Sequence, residues 1–405
     1  MLIYKPWMPN FPNRTPRTNC DQLRIGNLNV SFHRTLRLPE DGKTHGLPPS
    51  LGRFPVRLVE DYKDKVPAKW LEHGGVFLPL YQREALWMSF SVVPQADVGA
   101  CAVKVATGKV NAISGKPWSD KLEKAEDAVL GGKDPVQDYM VCPKQPWLDG
   151  FNTGDGSIRQ FVAMPLGMGY TVEKQVTGKE DTGGIQIAVF PAKPGVIPPP
   201  ARALLGGGVY NLMNSSNEYA SCDGAATMDM GEDYSMPVGA TKSYSSNVLR
   251  SASATRSAAP ARLMAKGAEM GLAAGGKMNQ KIYADEHGID TWDVENGQRL
   301  FVHFVNSQMW TELTGEAAPP SPVDVHTYTR HGYPWFAIYD EGVAAVQGSG
   351  TLANVKPVSE MDKEKGFEGQ QDDSPLDESA NVVKLGKDKK KPVMLGNKPV
   401  ADGNW

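Results

Sequence analysis

Between Tyr139 and Phe190 short apolar runs alternate with proline and glycine, and this alternation constrains the fold more than any other stretch. The runs are Tyr139-Met-Val-Cys142, Ile158-Arg-Gln-Phe-Val-Ala-Met164 and Ile185-Gln-Ile-Ala-Val-Phe190. The two longer ones are rich in branched and aromatic residues and bounded by turn formers, a pattern of buried strands rather than helices. Pro143-Lys-Gln-Pro-Trp-Leu-Asp-Gly150 connects the first two, and Pro165-Leu-Gly-Met-Gly169 forms a tight turn after the second. Tyr170 to Thr177 offers one or two helical turns, stopped by Gly178.

The rest of the chain extends that reading. Its 42 glycines and 31 prolines suit many turns, so strands should outnumber helices. A hydrophobic fraction of 40% with 9 Trp, 13 Tyr and 12 Phe can bury real cores. A chain of 405 residues predicts about two to three domain-sized units. With 43 basic and 46 acidic residues the formal charge is −3. No global field therefore draws the chain to nucleic acid or to an anionic membrane, and partners must be recognised locally. Cys20, Cys101, Cys142 and Cys222 contain no C-x-x-C pair, which indicates neither a zinc knuckle nor a disulfide framework. Cys101 and Cys142 fall in strand-like runs and read as small buried hydrophobes. The N-terminus lacks a cationic start followed by an apolar stretch, and no run approaches the ~20 apolar residues that span a bilayer. The expected setting is cytoplasmic.

Residues 1–20 hold Pro6, Pro9, Pro12 and Pro16 with Trp7 and Phe11 between them, an extended arm that cannot pair regularly in a sheet. Residues 21–195 read as a β-rich domain. In it Leu28, Val30, Phe32, Leu36 and Leu38 alternate with polar residues, interrupted only by Arg34. Phe54, Val56 and Leu58 repeat the pattern, and Val98–Ala106 with Val110–Ile113 reads as a hairpin. A weakly amphipathic helix is predicted over Ser119 to Leu130. His33 lies on the polar face and reads as solvated. Residues 196–265 combine a proline-rich connector with a low-complexity insertion over 213–262, too poor in apolar periodicity to fold alone. Residues 266–356 read as an α+β unit, with a strand at Arg299–Val305, a helix capped by Asn306 or Ser307 and ended by Gly315, a short helix opened by Ser321-Pro322, and an aromatic strand at Pro334–Tyr339. Residues 357–405 read as a disordered charged tail.

Three groups are candidate sites. Arg83 and Glu84 sit in an apolar context; a structural ion pair is the simpler reading, and a pocket where Arg83, Glu84 and Arg159 orient a small anion is the sharper one. Gly167 and Gly169 follow a strand and precede a helix, the setting of a phosphate cradle. They lack the remaining glycine and the Lys-Ser/Thr of known fingerprints, so a turn required by chain geometry is the simpler reading. Asp285, Glu286, His287, Asp290 and Asp293, with His303 beyond, form the densest set of metal-ligating or acid-base side chains, but no spacing fixes two imidazoles on one face. Asp149 to Ser157 is oxygen-rich, yet Asp-Gly pairs read first as turns. No G-x-S-x-G elbow supplies a nucleophile.

Gly74-Gly-Val-Phe-Leu-Pro-Leu-Tyr-Gln-Arg-Glu-Ala-Leu-Trp87, Gln145-Pro-Trp-Leu-Asp-Gly150, Ile158-Arg-Gln-Phe-Val-Ala-Met-Pro-Leu-Gly167 and Gly288-Ile-Asp-Thr-Trp-Asp293 resemble segments of an uncharacterised family of bacterial and fungal hypothetical proteins. The resemblance spans about residues 25 to 350 and implies no activity.

The expected fold is α+β and β-rich: an antiparallel sandwich or barrel-like N-terminal unit with a smaller α+β C-terminal unit. The expected function is a non-catalytic protein-interaction or self-assembling structural protein with no cofactor, acting through a protein partner or a second copy and not through nucleic acid or membrane. The alternative is a small-molecule-binding protein or enzyme with a site in the cleft between the two units.

Overall fold

The computed structural model describes residues 21–93, 97–124, 137–154, 156–198, 269–331, 334–338, 345–367, 374–376, 381–385, 394–395 and 398–399. The proline-aromatic arm, the 213–262 insertion and most of the charged tail lie outside the described residues.

In chain order the strands are β1 (Gln22–Ile25), β2 (Leu28–Thr35), β3 (Thr44–His45), β4 (Arg57–Leu58), β5 (Val76–Leu80), β6 (Ala85–Val92), β7 (Cys101–Thr107) and β8 (Val110–Asn111). There follow β9 (Met140–Cys142), β10 (Trp147–Leu148), β11 (Gly150–Gly154), β12 (Ser157–Pro165), β13 (Ile185–Pro191), β14 (Met270–Asn279) and β15 (Gln298–Asn306). These fifteen build two sheets, and Pro334–Ile338 pairs parallel with Asn381–Leu385 in a separate two-stranded ladder. The first runs β1-β2-β6-β12-β14-β3, with β10 on β6 and β11 on β12; the second runs β4-β5-β15-β13-β7-β8, with β9 on β7.

One core lies between them. Val30, Phe32, Met88, Phe161 and Leu272 of the first sheet share a buried cluster with Leu78, Val103, Ile187 and Phe304 of the second. Burying one such side chain contributes roughly 1.5–3 kcal/mol. Phe151 and Phe161 meet edge-to-face at 4.7 Å within it.

The fold is therefore β-rich α+β, as the turn-laden composition implies, and no closed barrel forms among the described residues. Two expectations change. The ladders are not all antiparallel: β5 pairs parallel with β15, and β3 pairs parallel with β14. The strands of 270–306 also do not stand apart from those of 21–195, because β14 pairs with β12 and β15 lies between β13 and β5. The boundary drawn at 196–265 thus falls inside one sandwich, and the cleft expected between two units has no frame. Parallel pairing needs a long crossover, and the excursion between β5 and β15 supplies it.

Local sequence explains several elements. The hairpin β7–β8 turns on Gly108 and Lys109, both left-handed with φ of 54° and 62°, as a twist-matched two-residue turn demands. Glycine in β14 answers crowding: a Cβ at Gly276 would lie 2.6 Å from Pro39 O, and one at Gly275 would lie 2.6 Å from Val162 Cγ2. The helix Val172–Thr177 is capped by Thr171 Oγ1, which accepts from Lys174 N–H, and stops at left-handed Gly178. The helix Ser307–Thr314 begins under Asn306 and ends at Gly315, as predicted.

Other elements depart from the sequence reading. The short helix near 321 is Val325–Arg330, because Asp324 rather than Ser321 provides the capping carboxylate. Residues 119–124 are not helical; Ser119 Oγ and Lys121 O are instead taken by Lys104 Nζ at 2.9 and 2.6 Å, and residues 125–130 lie outside the described residues. Within the tail, Val358–Glu364 is helical, and Val358 and Met361 pack on Val162, Met164 and Ala273 of the first sheet. The acid-rich composition of that stretch masks a buried apolar face. No helix among the described residues is long and apolar enough to cross a membrane.

Candidate functional site

The chain passes from one sheet to the other through Tyr81–Glu84, where Arg83 is left-handed with φ 68°. A non-glycine residue there costs about 1–2 kcal/mol, and the crossing is clamped on both sides. Arg83 N–H donates to Ala163 O at 2.7 Å, and its Nη2 meets Asp362 Oδ2 at 2.5 Å. Asp362 also accepts from Tyr170 Oη at 2.7 Å. Buried Glu84 pairs with Arg34, whose Nε donates at 2.6 Å, and its other oxygen accepts from Tyr81 N–H at 2.9 Å. Burial raises the Glu84 pKa and Arg34 opposes that rise. Arg34, the residue that broke the alternation of β2, is thus the counter-ion of the expected pocket acid. Arg159 is on neither network: its Nη1 donates to Gly275 O at 3.4 Å, its Nε is buried with no partner among the described residues, and burial lowers its pKa against the pull of Glu40 and Glu360.

The glycine turn is an anion cradle, and its anion is the protein's own. Gly167 N–H and Gly169 N–H donate to Glu180 Oε2 at 2.7 and 2.9 Å, and Thr171 Oγ1 donates to Glu180 Oε1 at 2.7 Å. Glu173 is held likewise by the amides of Asp181, Thr182 and Gly183 at 3.0, 2.8 and 2.8 Å. The chemistry anticipated for a phosphate is present, but Glu180 occupies it.

The acidic segment disperses. Asp285 is buried; its Oδ2 accepts from Tyr139 Oη at 2.7 Å and Trp292 Nε1 at 3.2 Å, and its Oδ1 accepts from His287 N–H at 2.8 Å. Burial, then the bond to Asp285, raises the Tyr139 pKa. Exposed Glu286 meets Lys144 at 2.5 Å, and that lysine lowers its pKa. Asp293 accepts from Asn296, Asp290 is exposed in the turn Ile289–Thr291, and the exposed His287 ring stands edge-on to Trp292 at 6.0 Å. His303 lies elsewhere, on β15, stacked on Trp70 at 4.6 Å and Phe301 at 4.2 Å with Nε2 on Gly74 O at 3.0 Å. Burial lowers its pKa to about 3. Among the described residues no group of three His, Cys, Asp or Glu side chains converges as a metal ion requires.

A different constellation lies on the outer face of the first sheet. His33 is buried rather than solvated: it faces Trp87 across the β2–β6 ladder and stacks on it at 3.9 Å with an interplanar angle of 8°. Its Nδ1 contacts Ser50 Oγ at 3.0 Å and its Nε2 contacts Ser89 Oγ at 2.9 Å. Desolvation, then Arg53, lowers its pKa to about 3, so the ring is neutral. Gln22, Ser31, Ser89 and Trp147 form one cross-strand row beside it. Trp87 is half-buried, and its Nε1 has no hydrogen-bond partner among the described residues. The signal was available: Trp87, Ser89 and Ser91 alternate with Leu86, Met88 and Phe90 as His33 does with Phe32.

Asp149, the first residue of the oxygen-rich stretch, lies at the β10–β11 junction. Its Oδ2 accepts from Gln280 Nε2 at 2.6 Å and its amide donates to Gln280 Oε1 at 3.0 Å. Burial pushes its pKa up to about 7, opposed by Gln280 alone.

Comparison with protein-family models, curated proteins and solved structures finds no match to this chain.

Proposed function

We propose that the chain is a non-catalytic interaction protein that self-associates, a rigid β sandwich whose surface is its working part. The observation that carries this reading is the internal pairing of the groups best suited to chemistry: Arg83 with Asp362, Glu84 with Arg34, Gly167 and Gly169 with Glu180, and Asp285 with Tyr139 and Trp292. A side chain held in a satisfied structural pair is costly to divert to a substrate. Leu58 and Leu71, 54% and 40% exposed, add an apolar surface. They stand on β4 and on the helix Ala68–His73, both packed at β5. Residues 1–20, rich in proline and aromatic side chains, have a composition also found at interfaces. Light scattering across a dilution series tests the reading: a concentration-dependent oligomer that is lost on removing residues 1–20 or in Leu58→Lys/Leu71→Lys supports it. A monomer at every concentration refutes it.

The stacked His33–Trp87 pair favours a second reading, a small polar ligand lying on the Trp87–Trp147 face. Such a ligand would quench tryptophan fluorescence and raise the melting temperature, and Trp87→Leu would abolish both effects.

A further inference from the structure

Cys101 and Cys142 are about forty positions apart in sequence and directly opposite in space. They are register partners in the antiparallel ladder of β7 and β9. Both point to the same side, because Cys101, Val103, Met140 and Cys142 belong to the central core while Ala102 and Val141 pack on the opposite face. Directly opposed residues in an antiparallel pair have Cα atoms about 4.5–5.5 Å apart, inside the span a disulfide bridges. The two thiols are free and buried, and they contact one another. The Cys142 thiol also donates to Gln145 O at 3.1 Å.

We propose that Cys101 and Cys142 are a redox modification site, closing reversibly into a cross-strand disulfide at the expense of a low-molecular-weight disulfide. One cysteine thiolate attacks a sulfur of the small disulfide, forming a mixed disulfide and releasing one small thiol. The second cysteine then displaces the other small thiol. Two protein S–H bonds and one small-molecule S–S bond are broken, and one protein S–S bond and two small-molecule S–H bonds form. The protein gives up two electrons and two protons, and the small disulfide takes them. Burial, then the neighbouring Cys101, raises the Cys142 pKa well above that of an ordinary thiol, so little thiolate exists in the closed state. Exchange therefore proceeds when β9 opens. That strand has three residues and branches from the sheet through β7. The bond tethers the segment that carries the buried pair Lys104–Asp138, joined at 2.6 Å.

The test uses the full-length chain, wild type and Cys20→Ser/Cys222→Ser in parallel, equilibrated across glutathione buffers both as the native protein and after unfolding and refolding. Samples are acid-quenched, alkylated in denaturant and mapped by mass spectrometry. The expected result is one linked peptide pair containing Cys101 and Cys142, with a fraction that rises with the proportion of oxidised glutathione and returns to zero with excess dithiol. Peptide mapping of the wild type identifies the pairing even if the variant folds poorly. Full alkylation of both cysteines at every ratio in native and refolded samples overturns the proposal, as does a glutathione adduct that never closes or a link to Cys20 or Cys222 only.

Discussion

Replacing Asp149 by asparagine converts a buried acid into a neutral side chain of the same shape, and the consequence is a stability difference that depends on pH. In the folded protein the carboxyl is buried against one neutral partner, and its pKa rises from 3.8 to about 7. The unfolded chain releases that proton near the lower value. Stability from this group is therefore fully present below about pH 4 and is lost as pH rises through about 7. A shift of about 3 units at 1.36 kcal/mol each gives a penalty of about 4 kcal/mol at pH 8 and about 2 kcal/mol at pH 5. The asparagine side chain carries neither penalty. It retains an oxygen for Gln280 Nε2, while its new N–H2 group lacks an assured partner, a cost of about 1–3 kcal/mol that does not vary with pH. The readout is therefore the change in the mutant-minus-wild-type difference: Asp149→Asn should gain about 2–3 kcal/mol relative to wild type between pH 5 and pH 8 in urea unfolding. An equal difference at the two pH values would refute the reasoning, because it would mean that the wild-type carboxyl is already ionised in the folded protein at pH 5.

Three other outcomes follow from the same structure. Glu180→Ala empties the cradle formed by Gly167, Gly169 and Thr171; it should cost about 1–3 kcal/mol and make the melting temperature sensitive to inorganic phosphate, to which wild type should be indifferent. Arg34→Met leaves Glu84 charged and buried and should cost about 3–5 kcal/mol, whereas adding Glu84→Gln should restore part of that loss; a double-mutant cycle with no coupling would show that the pair is not the cause. His33 and His303 have pKa values depressed to about 3, so the unfolded chain binds protons that the folded one does not, and stability is lost as pH falls below about 6.5. His33→Gln should flatten that acid limb in denaturant titrations, and an unchanged slope would count against a buried neutral ring.

Alternation located β2, but over Phe54, Val56 and Leu58 it predicts a strand of which only Arg57–Leu58 (β4) forms, with Leu58 exposed. β2, β12, β13 and β15 lie where their branched and aromatic runs lie, and the helix Ser307–Thr314 lies between its cap and its glycine. What was not legible depends on pairing at a distance. Arg34 looked like an error in the pattern of β2 until Glu84, fifty positions on, supplied its partner. Gly167 and Gly169 gave the right chemistry, but the anion that fills them arrives from Glu180 after an intervening helix. The 285–293 cluster was dense in sequence yet splits in space, since a turn sends successive side chains to Tyr139, Lys144 and solvent. Cys101 and Cys142 carried no motif because strand register, not spacing, makes them neighbours. Val358–Glu364 was hidden by its charge, as Val358 and Met361 alone do not alter the composition of a polar tail.

Three of the buried ion pairs share one geometric property. Arg34–Glu84, Arg83–Asp362 and Lys104–Asp138 each have at least one member just beyond the end of a strand: Glu84 and Arg83 precede β6, and Asp138 precedes β9. A buried pair adds little net stability over an apolar replacement, but losing one member leaves an expensive uncompensated charge. Such pairs therefore act against wrong arrangements more than in favour of the right one. In a sandwich of many short strands, register is the quantity most exposed to error, since a slip by one residue turns every side chain to the other face. A slip of β6 by one position would carry Glu84 away from Arg34 and reverse the side of the sheet on which Trp87 meets His33. The same charges thus help a glycine- and proline-rich chain hold a single register.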